Sequence, residues 1–257
     1  MIFLKTPEEI ARMRRAGRIV AGTIDRVVAA VRPGRTTADL DRVAEAYIAE
    51  QEATPSFLGY RGFPASICAS LNSEVVHGIP SPKRVLSEGD LLSLDFGAIW
   101  EGYHADSAVT VFVGEPPSGE AEKLVRVTEE SLEAGIGQIR EGARLGDIGH
   151  AVQQVVEGAG FSVVREYVGH GIGRSLHEDP QIPNYGQPGK GLPMKPGMVL
   201  AVEPMVNLGD WPTRVLADDW TVVTADGSLS AHFEHTIALT EDGPEVLTAR
   251  GLEPGAV

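Results

Sequence analysis

Asp95 follows the run Leu91-Leu92-Ser93-Leu94, and Glu203 follows Val199-Leu200-Ala201-Val202. A carboxylate joined to so apolar a run is costly to bury unless it is paired or holds a metal. Asp106 lies eleven residues after Asp95, beyond a turn that includes Glu101-Gly102, so a hairpin would bring the two acids alongside each other. Glu234 heads a further apolar run, Thr236-Ile237-Ala238-Leu239. Four bare acids on core strands would repel one another strongly, and two divalent cations would balance their four charges. His170, between Gly169 and Gly171, adds an imidazole with room for close backbone approach. His77 and His177 are two further imidazoles for the same cleft. Oxygen-rich ligation with one imidazole suits Mn²⁺, Fe²⁺ or Co²⁺ at least as well as Zn²⁺, and no cysteine cluster points to structural zinc. A plainer reading makes these acids strand-end charges or partners of Arg14, Arg174 and Arg214. It accounts for any one of them more easily than for all four. Nor do the glycines form a dinucleotide loop, because Arg174 stands where G-x-G-x-x-G needs its last glycine.

The acids sit at matching places in an internal repeat. Gly34 and Asp39 recur as Gly142 and Asp147, and Gly89 and Asp95 recur as Gly197 and Glu203, each displaced by 108 residues. His77-Gly78-Ile79 is echoed by His170-Gly171-Ile172 at a displacement of 93, which makes His77 the expected counterpart of His170. Each half reads helix, helix, then antiparallel strands. Thr6-Pro7-Glu8-Glu9 supplies a cap, a first-turn proline and first-turn acids for a helix over 7–30, and Arg32-Pro33-Gly34 stops it. A second helix runs from Thr37 to about Gln51 with Thr36 or Thr37 as its cap, and 119–139 and 145–159 repeat the pair. Strand-like runs are 91–99 and 107–113, then 198–206, 220–224 and 233–239. Helices grouped ahead of antiparallel strands predict an α+β fold. Residues 1–257 read as a single domain whose halves, about 7–114 and 115–240, face each other across a cleft.

Composition narrows the function. The chain has 257 residues, 42% hydrophobic and 23% charged, enough for a sizeable core. A formal charge of −14 opposes nucleic-acid phosphates, so no direct DNA binding is expected. The single cysteine, Cys68, excludes an intramolecular disulfide. Met1 to Glu9 carries no basic stretch followed by an apolar one, and no window approaches the roughly 20 apolar residues of a membrane span. No membrane contact and a cytoplasmic location are the expectations.

With Asp95, Asp106, His170, Glu203 and Glu234 in this order, the sequence resembles the type I methionine aminopeptidases of the pita-bread metallopeptidase fold, from about Thr6 to Thr240. Asn72-Ser73-Glu74-Val75-Val76-His77-Gly78-Ile79-Pro80, Gly169-His170-Gly171-Ile172-Gly173 and His232-Phe233-Glu234-His235-Thr236 carry the likeness. The resemblance implies two antiparallel-sheet halves covered by helices and two divalent ions (Co, Mn, Fe or Zn). Asp95 would hold one metal, His170 and Glu203 the other, with Asp106 and Glu234 bridging. It also implies removal of the initiator methionine when the second residue is small, with Glu203 carrying the proton and His77 and His177 contacting the substrate. Tyr60, Phe63, Cys68, Leu176 and Trp220 would line the methionine pocket, although many relatives carry Tyr and Phe where Phe63 and Leu176 stand. Asn72 and Ser230 would offer oxygens to a monovalent cation. The implied partners are the N-terminal methionine of nascent polypeptides and the ribosome, met by a monomer.

Three other readings share the fold. Proline-specific aminopeptidases and dipeptidases carry a large domain ahead of the catalytic half, whereas the first helix here begins at about residue 7. A non-catalytic pita-bread binding protein would lack some of the five ligand positions, and all five are occupied here. Type II methionine aminopeptidases insert a helical segment between the two glutamates, and the 31-residue step from Glu203 to Glu234 leaves no room for one.

Overall fold

The computed structural model describes residues 2–251. Helix α1 (Pro7–Ala30) starts on a capping box in which Thr6 Oγ1 accepts from Glu9 N and the Glu9 carboxylate accepts from Thr6 N. In α2 (Thr37–Glu50) the cap is Thr36, and Asp39 returns the bond. The buried face of α1 includes Met13, Ile19, Val20, Ile24 and Val27, and that of α2 includes Leu40, Ala44 and Ile48. Their spacing is the three-to-four residue period of a helix lying on a core.

Five strands follow: β1 (Thr54–Pro55), β2 (Ile67–Leu71), β3 (Glu74–Val76), β4 (Leu91–Trp100) and β5 (Tyr103–Phe112). The second pair of helices is α3 (Gly119–Ile136) and α4 (Leu145–Gly158). Gly137 ends α3 sooner than expected, and the backbone tightens there into three-residue bonds, Gln138 N to Gly135 O and Ile139 N to Ile136 O. Ten short strands complete the chain: β6 (Ser162–Val163), β7 (Gly169–Gly171), β8 (Glu178–Ile182), β9 (Val199–Val202), β10 (Met205–Asn207), β11 (Thr213–Val215), β12 (Val222–Thr224), β13 (Ser230–His232), β14 (His235–Thr240) and β15 (Gly243–Val246).

The central strand β4 pairs with β5 along one edge and with β1 and β2 along the other. A second sheet runs β15-β14-β9-β7-β8, and two smaller ones run β13-β10-β6 and β11-β12-β3. Every pairing is antiparallel. Helix α1 packs on β4 and β5, while α3 packs on α4, β10 and β13. One apolar core runs through both halves, joining Leu92, Leu94 and Phe96 to Leu132, Ile148, Leu200, Val202 and Ile237.

Four strand expectations change, each for a backbone reason. The run 107–113 becomes Tyr103–Phe112, because the tight Glu101-Gly102 turn, both residues left-handed, lets Tyr103 pair at once with Trp100. The run 198–206 breaks at Glu203-Pro204, because Pro204 has no N–H for a ladder. The run 233–239 starts only at His235, since Phe233 N donates to Pro204 O and Glu234 N to Ala108 O in the other sheet. The run 220–224 shortens to β12, because the Asp218 carboxylate accepts from Trp220 N and Thr221 N. Register also corrects the expected pairing of His77 with His170. His170 lies opposite Ala201, and Ser70 lies opposite Ser93, the residue 108 positions earlier. Ser70 is thus the positional match of His170. His77 and His177, each seven residues further on, match each other.

Leu247 joins the second sheet to the first helix. Leu247 N donates to Thr236 O beside the second sheet. Its carbonyl lies against Gly17 of α1 so closely that any Cβ at position 17 would strike it.

Candidate metal centre

Strand pairing alone carries the acids to one place. Across the β4–β5 hairpin Asp95 faces Ala108 and Asp106 faces Gly97, so the two aspartates are diagonal neighbours on one face of the sheet. In the second sheet His235 faces Val202, so Glu234 and Glu203 meet just beyond the end of that ladder. His170 opposite Ala201 places its ring on the Glu203 side of β9. Two contacts then fasten the sheets together: Glu234 N donates to Ala108 O at 3.0 Å, and Asp106 N donates to Thr236 Oγ1 at 3.0 Å.

Ligand atoms of Asp106, His170 and Glu234 all lie within 4.8 Å of one another, and all three residues are buried. His170 Nε2 is 3.7 Å from Asp106 Oδ2 and 3.5 Å from Glu203 Oε1. Its Nδ1 is 2.9 Å from Gly171 O, a group that only accepts. The ring proton therefore belongs on Nδ1, and the Nε2 lone pair points at the acids, the orientation a metal-binding imidazole needs. Asp95 Oδ1 is sealed from solvent with no hydrogen-bond partner. The arginines that might have paired with the acids are engaged or remote: Arg14 holds Glu245, Arg174 reaches Glu9, and Arg214 is exposed on β11.

Burial and then the neighbouring carboxylates raise Asp95, Glu203 and Glu234 well above the usual carboxylate range. Asp106 is raised too, chiefly by burial, and is eased by His170 and the Thr236 hydroxyl. Four acids, Asp106 and Glu234 buried and Asp95 and Glu203 half-buried, with an unpartnered oxygen and a lone-pair imidazole make a poor structural device and a good cation cage. Its donor set, oxygens with one imidazole, fits divalent metal ions.

Above the acids opens a cleft of about 250 Å³. All twelve residues expected to form the site line it: the five ligand candidates, His77, His177, Tyr60, Phe63, Cys68, Leu176 and Trp220. Tyr60 Oη and His177 Nδ1 are 2.9 Å apart, and the His177 ring lies 4.2 Å from that of His170. His77 has a left-handed backbone, φ 61°, and its ring stands edge-on to Tyr167 and Trp220. Burial lowers His77 to about 4, and burial with nearby positive groups lowers His177 to about 3, so both are neutral at pH 7. The Cys68 thiol, opposite Asp95, is pushed far up by burial and by the acids, which makes it wall rather than nucleophile. Asn72 and Ser230 are adjacent, Ser230 N donating to Asn72 O, but Asn72 Oδ1 already accepts from Leu91 N and Ser230 Oγ contacts Val206 O and Asn207 Oδ1.

Sequence reasoning passed over His232, Tyr167, Glu166, Met205, Phe57 and Val76, which also line the cleft. His232 had a visible signal, its place two residues before Glu234; the others become neighbours only through the fold.

A buried Asp/His/Glu cluster beneath an open cleft defines a metal-dependent enzyme, and the sequence follows the pattern of Metallopeptidase family M24 over residues 11–241. The chain belongs to that family. Within it, the chain is 57% identical to methionine aminopeptidase 1 of Bacillus subtilis and 55% identical to the methionine aminopeptidase of Clostridium acetobutylicum, covering 96% of this chain and 99% of each relative. The solved methionine aminopeptidase of Thermotoga maritima superposes with a TM-score of 0.95 at 50% identity, over 97% of this chain and 100% of that one. The fold is the α+β pita-bread fold. Among the described residues, no helix is long and apolar enough to cross a membrane.

Proposed function

We propose that this chain removes N-terminal methionine from peptides and new proteins, as a single catalytic unit whose two halves each supply part of the centre. The observation that carries the reading is the convergence of Asp95, Asp106, Glu203, Glu234 and the Nε2 lone pair of His170 at the floor of one cleft. These five residues would hold two divalent ions, drawn from Mn, Fe, Co and Zn. Bound there, the ions supply Lewis acidity and make a water acidic near neutral pH.

The protein's own groups do the rest. Glu203, at the cleft floor with Oε1 toward His170, takes the proton from water and returns it to the leaving amine. His77 and His177, neutral at working pH, donate hydrogen bonds to the oxygen that gains charge at the tetrahedral stage. The 2.9 Å contact lets Tyr60 Oη donate to Nδ1, and in that tautomer the His177 proton sits on Nε2, free to donate. Tyr60, Phe63, Cys68, Leu176 and Trp220 bring apolar and polarizable surface to the methionine side chain. The His77 ring stands edge-on to those of Tyr167 and Trp220 in the cleft lining, and that crowding is the basis for reading a preference for a small second residue.

Stripped of metal and reconstituted with Mn²⁺ or Co²⁺, the protein should release methionine from Met-Gly-Met and leave Gly-Pro intact. An intact Met-Gly-Met would overturn the assignment, and cleavage of Gly-Pro alone would transfer it to the proline-specific enzymes of this fold.

A further inference from the structure

Glu203 stands between two imidazoles, each with its Nε2 toward a different carboxylate oxygen: His170 at 3.5 Å from Oε1 and His232 at 3.8 Å from Oε2. The two rings are not equivalent. His170 spends its Nδ1 proton on Gly171 O, so its Nε2 brings a lone pair to the centre. His232 Nε2 is buried and has no hydrogen-bond partner, and what it faces is a group that, ionised, can only accept. That location favours the tautomer with the proton on Nε2.

The backbone leaves His232 little choice of direction. Thr110 Oγ1 accepts from His232 N at 2.9 Å and donates to His232 O at 2.8 Å, while Ser93 Oγ lies 2.8 Å from the same hydroxyl. On the other side β13 pairs His232 with Met205, two residues beyond Glu203. Glu203 is anchored nearby by Asn184 Nδ2, which donates to its carbonyl at 2.9 Å, and Pro204 O accepts from Phe233 N. A small rotation of the ring or the carboxylate closes 3.8 Å to a hydrogen bond, as such contacts commonly tighten when a site fills.

We propose that His232 is a positioning residue for Glu203, its Nε2–H donating to Oε2 so that Oε1 is the oxygen presented beside His170. The proposal rests on the reading of Glu203 as cation ligand and proton carrier. It gives the carboxylate one fixed orientation out of the several that the three torsions of a glutamate would allow, and it donates to the ionised form.

The test titrates Mn²⁺ into metal-free wild type, His232→Ala and His232→Gln by calorimetry, then measures kcat and KM for Met-Gly-Met and the melting temperature of each. Loss of an outer hydrogen bond to a ligand costs about 10- to 100-fold in metal affinity or turnover. The expected result is weaker Mn²⁺ binding and lower kcat on that scale in His232→Ala, with KM little changed. Glutamine, which keeps a donor, should restore both to within a few-fold. Wild-type Mn²⁺ affinity in His232→Ala would overturn the proposal, as would a glutamine variant as impaired as alanine at unchanged melting temperature. If alanine abolishes cooperative melting, the comparison passes to His232→Gln against His232→Leu, which fill the space with and without a donor; equal Mn²⁺ affinities there overturn it. A wild-type chain that takes up no Mn²⁺ overturns the metal reading and this proposal together, whereas normal uptake with indifferent variants overturns this proposal alone.

Discussion

Asp95 and Asp106 ride on a continuous hairpin of two 10-residue strands, whereas Glu203 and Glu234 stand in gaps between short strands. In the first half the ladder itself fixes each Cα, and a short side chain is enough to reach the centre. In the second half the ladder stops just before each acid. Separate anchors then take over: Asn184 on the Glu203 carbonyl, and Ala108 O on the Glu234 amide. The longer glutamate side chain supplies the reach that the interrupted strand does not. One half sets short ligands on a continuous ladder, and the other sets longer ones on separate anchors.

The sharpest way to break this contrast is to exchange ligand lengths. Asp95→Glu pushes a carboxylate beyond its place on a ladder that cannot retreat, with Cys68 and Ala108 packed on either side. Misplacing a catalytic group by about 1 Å can cost 10²-fold. Turnover should fall by at least about that factor, with loss of bound Mn²⁺ seen by metal analysis. Glu203→Asp shortens a ligand whose backbone lies in a break and can follow it, so Mn²⁺ content should survive even though turnover drops. Equal loss of metal from both variants would remove the distinction.

Each half also places one of the matched pair His77 and His177 on the cleft wall. His77→Ala and His177→Ala should each lower turnover by about 10²–10³-fold, the scale of one lost transition-state hydrogen bond. Metal content should stay intact in both, which separates them from His170→Ala, where content and activity fall together. Loss of metal from either wall variant would move that histidine among the ligands.

A smaller effect should appear in the pH dependence of stability. Without cations, burial raises all four carboxylates, and repulsion from neighbouring acids adds to it at Asp95, Glu203 and Glu234, so the folded chain keeps protons that the unfolded chain has released. The metal-free fold therefore loses stability as pH climbs from the ordinary carboxylate range through the raised values. Cations require the ionised form, so the rise in melting temperature on adding Mn²⁺ should grow from about pH 5 to about pH 7.5. A gain independent of pH would mean that the acids are already ionised in the metal-free protein.

Much of this arrangement was legible in the chain. The helix starts follow from local chemistry, since Thr6 with Glu9 and Thr36 with Asp39 each satisfy amides that no helical carbonyl can reach. The acids betray themselves by sitting against apolar strands, where an uncompensated charge is too costly to keep. Less accessible was anything decided by register. The His-Gly-Ile echo suggests one pairing of histidines and the strand ladder enforces another, because three matching letters carry no information about which residue lies opposite which. His232 escaped for a related reason: next to a ligand, it reads as part of the motif, and only its orphaned Nε2 reveals a task of its own. Pro204, by contrast, announces the break at Glu203 to anyone who asks where its missing N–H would have paired.

The seal between Gly17 and Leu247 has a bearing on how such a protein comes into being. The groove that receives α1 is completed by Leu247, far along the chain, so the helix is made long before its permanent neighbour. Until then Met13 and Ile10, which share an apolar cluster with Leu247, lack that part of their cover. Packing of α1 is consequently finished only once the residues around Leu247 have emerged, and deleting that stretch would unseat a helix made far earlier.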